Sequence, residues 1–563
     1  MKKMLLFIAF VCSIISGYSQ SQRFILFEEF TNASCGPCAA QNPAFDALLN
    51  ANSTKCTSIK FHTNWPGVDP MNAQNPADAA ARVGYYGVTG VPHAVMDGVP
   101  QTGPNYTGAP ANVTQAKIDA EYLIPSPIDV SLQHTISAGQ DSVYSTMLVK
   151  CTQNFTGTLV AHNIIIEKWI HFNSAPGGNG EKDFYNVMKK MLPTSAGTVI
   201  PATMATGDYI LMEGSWKFGT VYDKTQVAAV GFVQDKNTKA VFQSGLSATT
   251  PLVMPYSTDL QVMAVNNVLA VTCKNKITPV VDIRNNGNNP VTSMTIKYNV
   301  NNGAVSTFHW NGNLPSLKHV NVTLPEYGFD ILPQNTLTVY TTNPNNTTDQ
   351  YPKNDTIHFT IKAAPVTTNT VTLTIHTDNA PQETTWDVKS STGTVVASGG
   401  PYTQSNQFIT QNITLPQADC YTFTIYDSGN NGLCCVNGSG AYQIACGSTV
   451  IKQGGTFGSS ESSEFWMEAP TSTGPANTTS PFNVFPNPFD GSAKVSFYLA
   501  KTANVTINLF SALGQLVSAS DLGSLGSGEH EATIDGQKLT AGMYILQLNT
   551  GTAVFSRKVS VIH

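Results

Sequence analysis

Between the apolar run RFILFEEF at residues 23–30 and the helix-patterned stretch 39–50 stands Cys35-Gly-Pro-Cys38. Two cysteines three apart at a strand-to-helix junction constrain the local fold strongly. The first faces the unpaired N–H groups of the helix start, and the second lies one turn further along the same helix. The pattern that follows is a strand at 57–63, a helix opening at Pro76, Val91-Pro92 ahead of a short strand at 93–96, an Asp97-Gly98 turn and a helix over 112–123.

The helix dipole favours a thiolate at Cys35, which makes it the candidate attacking sulfur, and Cys38 is placed to resolve a mixed disulfide by attacking Cys35. A plain structural disulfide fits the same spacing. A zinc site would need a second CxxC or a pair of histidines at matching spacing, and neither follows. The order strand, CxxC, helix, strand, helix, Val-Pro, hairpin, helix resembles the thioredoxin fold over about residues 23–123. The resemblance implies a cis Pro92 that holds backbone against the cysteines. It also implies a buried acid at Glu29, six residues before Cys35, that accepts or gives a proton; adjacent Glu28 is the other candidate. Ser34 stands where such proteins often carry a tryptophan, a departure that weakens the case for a general reductase. His93, next to Pro92, is read as a solvated or core histidine.

The opening MKKMLLFIAFVCSIISG sets two lysines before a short apolar core, the pattern of a secretory signal peptide over 1–19, with the mature chain expected to start at Gln20. No later segment is apolar enough to span a bilayer as a helix. Ten cysteines less Cys12 leave nine in a compartment that permits disulfides, so at least one thiol stays free. With 563 residues, several domains of about 100 to 150 residues are expected. Charged residues are 12% of the chain and the net charge is -6, with no run of Lys and Arg, which excludes a nucleic-acid partner.

Residues 124–248 alternate as β-strands. With EEFTNASCGPC, the stretches YNVMKKMLPTSAG and VAAVGFVQDKNTKAV give a resemblance to the Omp28-related outer membrane proteins of Bacteroidetes over about residues 23–245. It implies a thioredoxin-like unit (20–123) followed by an immunoglobulin-like β-domain (124–248). His162, Glu167 and His171 do not suit a metal site, because in a regular strand His162 falls on the opposite face from the other two.

Residues 255–365 read as an immunoglobulin-like β-sandwich, with Asn-Gly and Pro-Asn turns between strands. Residues 368–468 read as a further β-module holding Cys420, Cys434, Cys435 and Cys446. Adjacent cysteines seldom bond to each other, so Cys434 and Cys435 are expected to pair with Cys420 and Cys446 as two staples. The turn at 427–432 offers Asp427, Asn430 and Asn431 as a calcium candidate, with a plain Asn-Gly hairpin as the alternative. Trp386, Tyr402, Tyr421 and Tyr442 could line a glycan surface or fill the core.

After the low-complexity linker 469–481, residues 482–563 carry Phe485-Pro-Asn-Pro488, Leu513-Gly514, Gly542-Met-Tyr-Ile545 and Lys558-Val559. These resemble the type A sorting domain of the type IX secretion system, which implies delivery across both membranes by that machinery and display or release at the cell surface.

The expected fold class is multidomain, an N-terminal α/β thioredoxin-like domain followed by several all-β immunoglobulin-like domains. Two functions fit: a surface protein that binds a protein or glycan ligand, or an extracytoplasmic thiol-disulfide oxidoreductase using Cys35, Cys38, Pro92 and Glu29. No organic cofactor is expected, since no GxGxxG follows a strand. No Ser-His-Asp order points to a hydrolase.

Overall fold

The computed structural model describes residues 20–468, 482–499, 501–512, 514–551 and 553–562. The signal segment, the linker and Leu513 lie outside them. The chain is mostly β-strand, arranged in many small sheets.

Strand β1 (Ile25–Thr31) is buried along its whole length, as is β2 (Cys56–His62), which runs parallel to it. A strand buried on both faces reads as a continuous apolar run rather than an alternating one, which explains ILF and F around the two glutamates. Helix α1 (Gly36–Ala51) connects them, with Cys35 at its N-cap and a proline in its first turn. Short helix α2 (Pro70–Gln74) and α3 (Pro76–Tyr86) follow. Then β3 (His93–Met96) lies antiparallel to β1 on its other edge, with β4 (Val99–Pro100) beside it, and α4 (Gln115–Tyr122) closes the segment.

The sheet does not stop at β2. Strand Asp183–Leu192 runs parallel to β2 with Val187 opposite Lys60, and Leu159–His171, Val227–Asp235 and Val241–Leu246 extend it outward. The boundary at residues 123/124 therefore falls inside one continuous sheet. Side chains tie the two stretches together. Arg23 Nη1 donates to Val241 O and to Asp97 Oδ2, both at 3.0 Å, and Ser244 Oγ donates to Phe24 O at 2.7 Å. Gly98, at φ +89°, sits so close to the outer hairpin that a Cβ would lie 1.9 Å from Lys239 O, so this turn admits glycine alone.

Both faces of the sheet are covered. α1 and α4 cover one side of β1 through Phe27, Phe45, Leu49 and Ile118. On the other side α3 packs on Phe30, Phe61, Ile164, Ile166 and Phe232, a single core drawn from both stretches. Alternate residues Ala161 and Ile165 face the opposite way, against β5 (Ile128–Ile136), β6 (Ser142–Cys151) and Tyr209–Lys217.

Residues 260–363, 366–467 and 482–561 each form two main sheets with their own core, the first with an added two-stranded sheet at Lys276–Ile277 and Tyr327–Gly328. The joint between residues 124–248 and 260–363 combines an apolar cluster, Leu148, Tyr209, Met254 and Tyr351, with polar contacts: Tyr209 OH donates to Asp259 Oδ2 at 2.6 Å, and Arg284 meets Glu213 at 2.8 Å. The expected cysteine pairing is corrected here. Cys420 bonds Cys273 across two modules, 147 residues apart, and Cys434 bonds Cys435, while Cys446 stays free together with Cys56 and Cys151. The physical reason is placement. Cys420 lies in the strand Asp419–Asp427, whose neighbour Ser460–Met467 abuts residue 273, whereas Cys446 belongs to the other sheet of its module. Cys434 and Cys435, joined by a cis peptide, have Cα atoms 3.1 Å apart.

Because one core spans both stretches, a fragment of residues 20–123 is expected to lack a cooperative urea transition by circular dichroism, whereas residues 20–248 keep one.

Candidate active site around Cys35 and Cys38

Cys35 and Cys38 are bonded to each other with Cα atoms 5.2 Å apart. Both are nearly sealed, at 2% and 0% exposure, while Gly36 and Pro37 between them face solvent. The Cys38 N–H donates to Cys35 Sγ at 3.1 Å, so the sulfur occupies the capping position of α1. Cys35 Sγ also lies 3.5 Å from Val91 O, and the Val91–Pro92 peptide is cis. Pro92 is braced from behind, because Tyr106 OH donates to Pro92 O at 2.8 Å and accepts from Gln41 Nε2 at 3.3 Å. His93 packs against the Phe30 ring and so close to Gly108 that a Cβ there would lie 2.1 Å from Nδ1; burial pushes its pKa down.

The turn before Cys35 is fixed from two sides. Asp69 Oδ2 accepts from Ala33 N–H at 2.7 Å and pairs with His62 Nδ1 at 2.7 Å. Burial works against the Asp69 carboxylate, but His62 and the N–H donors outweigh it and hold its pKa lowered. From the second stretch, a glycine-rich strap at 173–182 lies against the same turn. Gly177 is so close that a Cβ would be 2.1 Å from Ala33 O. Gly178 N–H donates to Ser34 Oγ at 3.0 Å, and Asn179 Nδ2 donates to Cys35 O at 3.1 Å. Ser34 Oγ donates in turn to Val68 O at 2.7 Å. A tryptophan at position 34 would collide with this strap and with Gly67, whose Cβ position is 2.7 Å from Ser34 Cβ.

The two glutamates separate by strand alternation. Glu28 points toward α3, where Arg82 Nε and Nη2 donate to it at 2.9 and 2.5 Å and Tyr86 OH donates at 2.5 Å. Glu29 points to the α1 side and is fully buried. Lys60 Nζ lies 2.9 Å from Glu29 Oε2 and 2.5 Å from Asp46 Oδ1 on α1. Burial, opposed by Lys60 and reinforced by Asp46 and Glu181, pushes the Glu29 carboxyl up to about 7. Lys60 itself is held raised, because Glu29 and Asp46 outweigh its desolvation. The sequence named Cys35, Cys38, Pro92 and Glu29 as candidates, and the structure sets Lys60, Asp46, Tyr106 and Asn179, which it did not name, beside them. One signal was present: a lysine at the centre of an otherwise buried strand demands an anionic partner.

The other sequence candidates have separate surroundings. His162 stacks on Phe232 at 4.8 Å and its pKa is pushed down to about 3, by burial and then by Arg82. Glu167 pairs with Lys189 at 3.1 Å, and His171 is exposed beside Asp183. In the 427–432 turn Asp427 Oδ1 accepts from Asn431 N–H at 3.0 Å, and Asn431 Oδ1 is buried without a partner. Asn430 is exposed at φ +59°. Trp386, Tyr421 and Tyr442 are core residues at 2%, 0% and 3% exposure, which corrects the glycan-surface alternative for them, and Tyr402 accepts from Trp386 Nε1. Among the described residues, Cys273, Cys420 and Glu464 come close enough together to hold a metal, but the two sulfurs are bonded to each other.

Residues 483–562 match the Secretion system C-terminal sorting domain. The match indicates export to the cell surface or secretion through the type IX machinery. Among the described residues no helix is long and apolar enough to cross a membrane. No curated protein matches the chain. Similar solved structures include HBP35 of Porphyromonas gingivalis, at 17% identity over 51% of this chain and 98% of that one, with a TM-score of 0.34. A CARDB domain from Pyrococcus furiosus in complex with di-metal ions is 16% identical over 20% of this chain and 95% of that one, with a TM-score of 0.17. The BSP domain of a biofilm associated protein is 10% identical over 77% and 96%, with a TM-score of 0.14. At these TM-scores neither fold nor function transfers.

A carboxyl whose pKa is higher folded than unfolded stabilises the fold below its unfolded value, near 4.5 for Glu29, and that stability is lost as pH rises through about 7. Hydrogen-exchange protection of the β1 amides is therefore expected to fall between pH 5 and pH 8 after correction for intrinsic exchange. Glu29→Gln reduces that slope, and Asp97, also pushed up to about 7 chiefly by burial, accounts for part of what remains.

Proposed function

We propose that the N-terminal unit is thioredoxin-like, of the Omp28-related kind, and that it carries out thiol-disulfide exchange outside the cytoplasm. Cys35 is the nucleophile and Cys38 the resolving cysteine. The observation that carries this reading is the placement of the Cys35–Cys38 pair at the N-terminus of α1, beside Val91 O, in a unit whose buried acid on the α1 side, Glu29, is held near neutrality. A structural staple needs none of these neighbours.

In the reduced pair, the Cys35 thiolate attacks one sulfur of a substrate disulfide, and the other substrate sulfur leaves as a thiolate. Cys38 then loses its proton to a base, attacks Cys35 and releases the second substrate sulfur. The substrate gains two electrons and the protein pair becomes a disulfide; the reverse sequence oxidises a dithiol. Pro92, braced by Tyr106, would offer backbone against which an extended substrate segment lies. The strap at 173–182 forms the facing wall. For a chain exported by its C-terminal sorting domain, electrons would be drawn from an outside thiol or passed to an outside disulfide.

A second reading, ligand binding by the β-modules, is favoured by one feature of the module at residues 366–467. Phe408 is 76% exposed and stacks on His376 at 4.4 Å. It borders an open groove of about 520 Å³ with Thr374, Gln443 and Gln453. An exposed ring flanked by amides and hydroxyls and lacking charge suits the apolar face of a neutral sugar. The two readings are compatible within one exported chain.

Equilibration of the full chain in defined glutathione buffers, with the Cys35 and Cys38 thiols followed by mass spectrometry, separates them. A reversible midpoint between about -180 and -270 mV, lost in Cys35→Ser, is the result expected of exchange chemistry. A pair still oxidised below about -300 mV removes that function and leaves ligand binding.

A further inference from the structure

Asp46 is 8% exposed and sits on α1 two turns after Cys38. Its carboxylate touches the ammonium of Lys60, which also touches Glu29. Two carboxylates thus share one cation in a place almost closed to water. Glu29 and Lys60 have no opening of their own, at 0% and 2% exposure. Asp46 does: with Pro43, Asn50, Glu181 and Tyr185 it lines a groove of about 370 Å³ on the surface between α1 and the end of the strap. The ion-paired chain from Glu29 toward bulk water therefore runs through Lys60 to Asp46.

Strand and helix place Glu29 beneath the first turns of α1. Asn42, one turn after Cys38, donates to Thr31 Oγ1 at 3.0 Å, and Phe45 packs on Phe27, so Glu29 lies between these two contacts on the same face of β1. The titratable and charged groups that face Glu29 are Lys60 from β2, Asp46 from α1, Glu181 from the strap and Tyr106 from the loop after β4.

We propose that Asp46 is a positioning residue for the exchange reaction: with Lys60 it forms the outlet through which Glu29 discharges and recovers the proton of Cys38. This rests on the exchange function proposed above. In the resolving step the Cys38 thiol gives its proton to the Glu29 carboxylate, and the resulting thiolate attacks Cys35 Sγ of the mixed disulfide. The Cys35–Cys38 bond forms, the bond to the substrate sulfur breaks, and that sulfur leaves with the electron pair as a thiolate. The proton on Glu29 is then exchanged with groove water by way of Lys60 and Asp46. The negative charge of Asp46 divides the attention of Lys60, which keeps Glu29 basic enough to take a thiol proton near neutral pH.

The test is the pH profile of the second, resolving phase when the reduced full chain reacts with oxidised glutathione, for the wild type, Asp46→Asn, Asp46→Glu and Glu29→Gln. Asp46→Asn is isosteric and leaves Lys60 wholly to Glu29, so the midpoint is expected to move down by about 1 pH unit or more. Asp46→Glu returns the profile toward wild type, and Glu29→Gln removes the ionisation. An Asp46→Asn profile that superimposes on wild type overturns the proposal while leaving exchange itself intact. Absence of glutathione exchange in the wild type overturns both. Infrared titration of the Glu29 carboxyl in the oxidised chain supplies an answer that does not depend on turnover: a midpoint unmoved by Asp46→Asn overturns the outlet.

Discussion

Lys60 stands where the two halves of the N-terminal unit and its chemistry meet. Its backbone pairs with Val187, the contact that carries the sheet from β2 into the second stretch, and its ammonium holds Glu29 and Asp46. A buried lysine without partners is costly, and so are two buried carboxylates. Together they are tolerable, and they fix α1 over β1 in one register. The helix that carries Cys35 and Cys38 is thus anchored by the same charges that set the proton affinity of Glu29.

The glycine-rich strap explains a departure visible in the sequence. Gly67 and Gly178 lie against Ser34, and Gly177 against its neighbour Ala33, so a bulky side chain at position 34 would meet this backbone. Backbone from a distant stretch closes this turn, with Asn179 holding the Cys35 carbonyl. The same packing seals both sulfurs from solvent and leaves Gly36 and Pro37 as the exposed rim of the pair.

Beyond this unit, the chain is a series of β-sheet modules, the first joined to the N-terminal unit by both apolar and polar contacts. The joint between 260–363 and 366–467 is covalent, through Cys273 and Cys420, and Glu464 sits beside it, accepting from Thr272 Oγ1 at 2.6 Å and pairing with Lys274 at 2.7 Å. Such a joint holds successive modules in a fixed relation, which suits a protein that presents one end while the other has been used for export. Each module keeps its own core, so modules depend on one another for orientation rather than for folding.

The sequence by itself determined the strand, CGPC and helix junction, the Val-Pro before the hairpin, the alternating strands of the β-modules and the sorting signature at 483–562. Each of these is written in neighbouring residues, through period, capping and turn chemistry. Only the tertiary structure decided that Glu29 rather than Glu28 lies under α1, that Lys60 and Asp46 attend it, and that Cys420 finds Cys273 instead of a cysteine within its own module. Strand alternation alone leaves both glutamates open until one face is known to carry the helix. The cysteine pairing depends on which strands adjoin across 147 residues, and no local pattern encodes that distance. The sheet that runs past residue 123 was hidden for the same reason, since pairing between β2 and a strand more than a hundred residues later is set by the burial of a shared core and not by anything either segment shows alone.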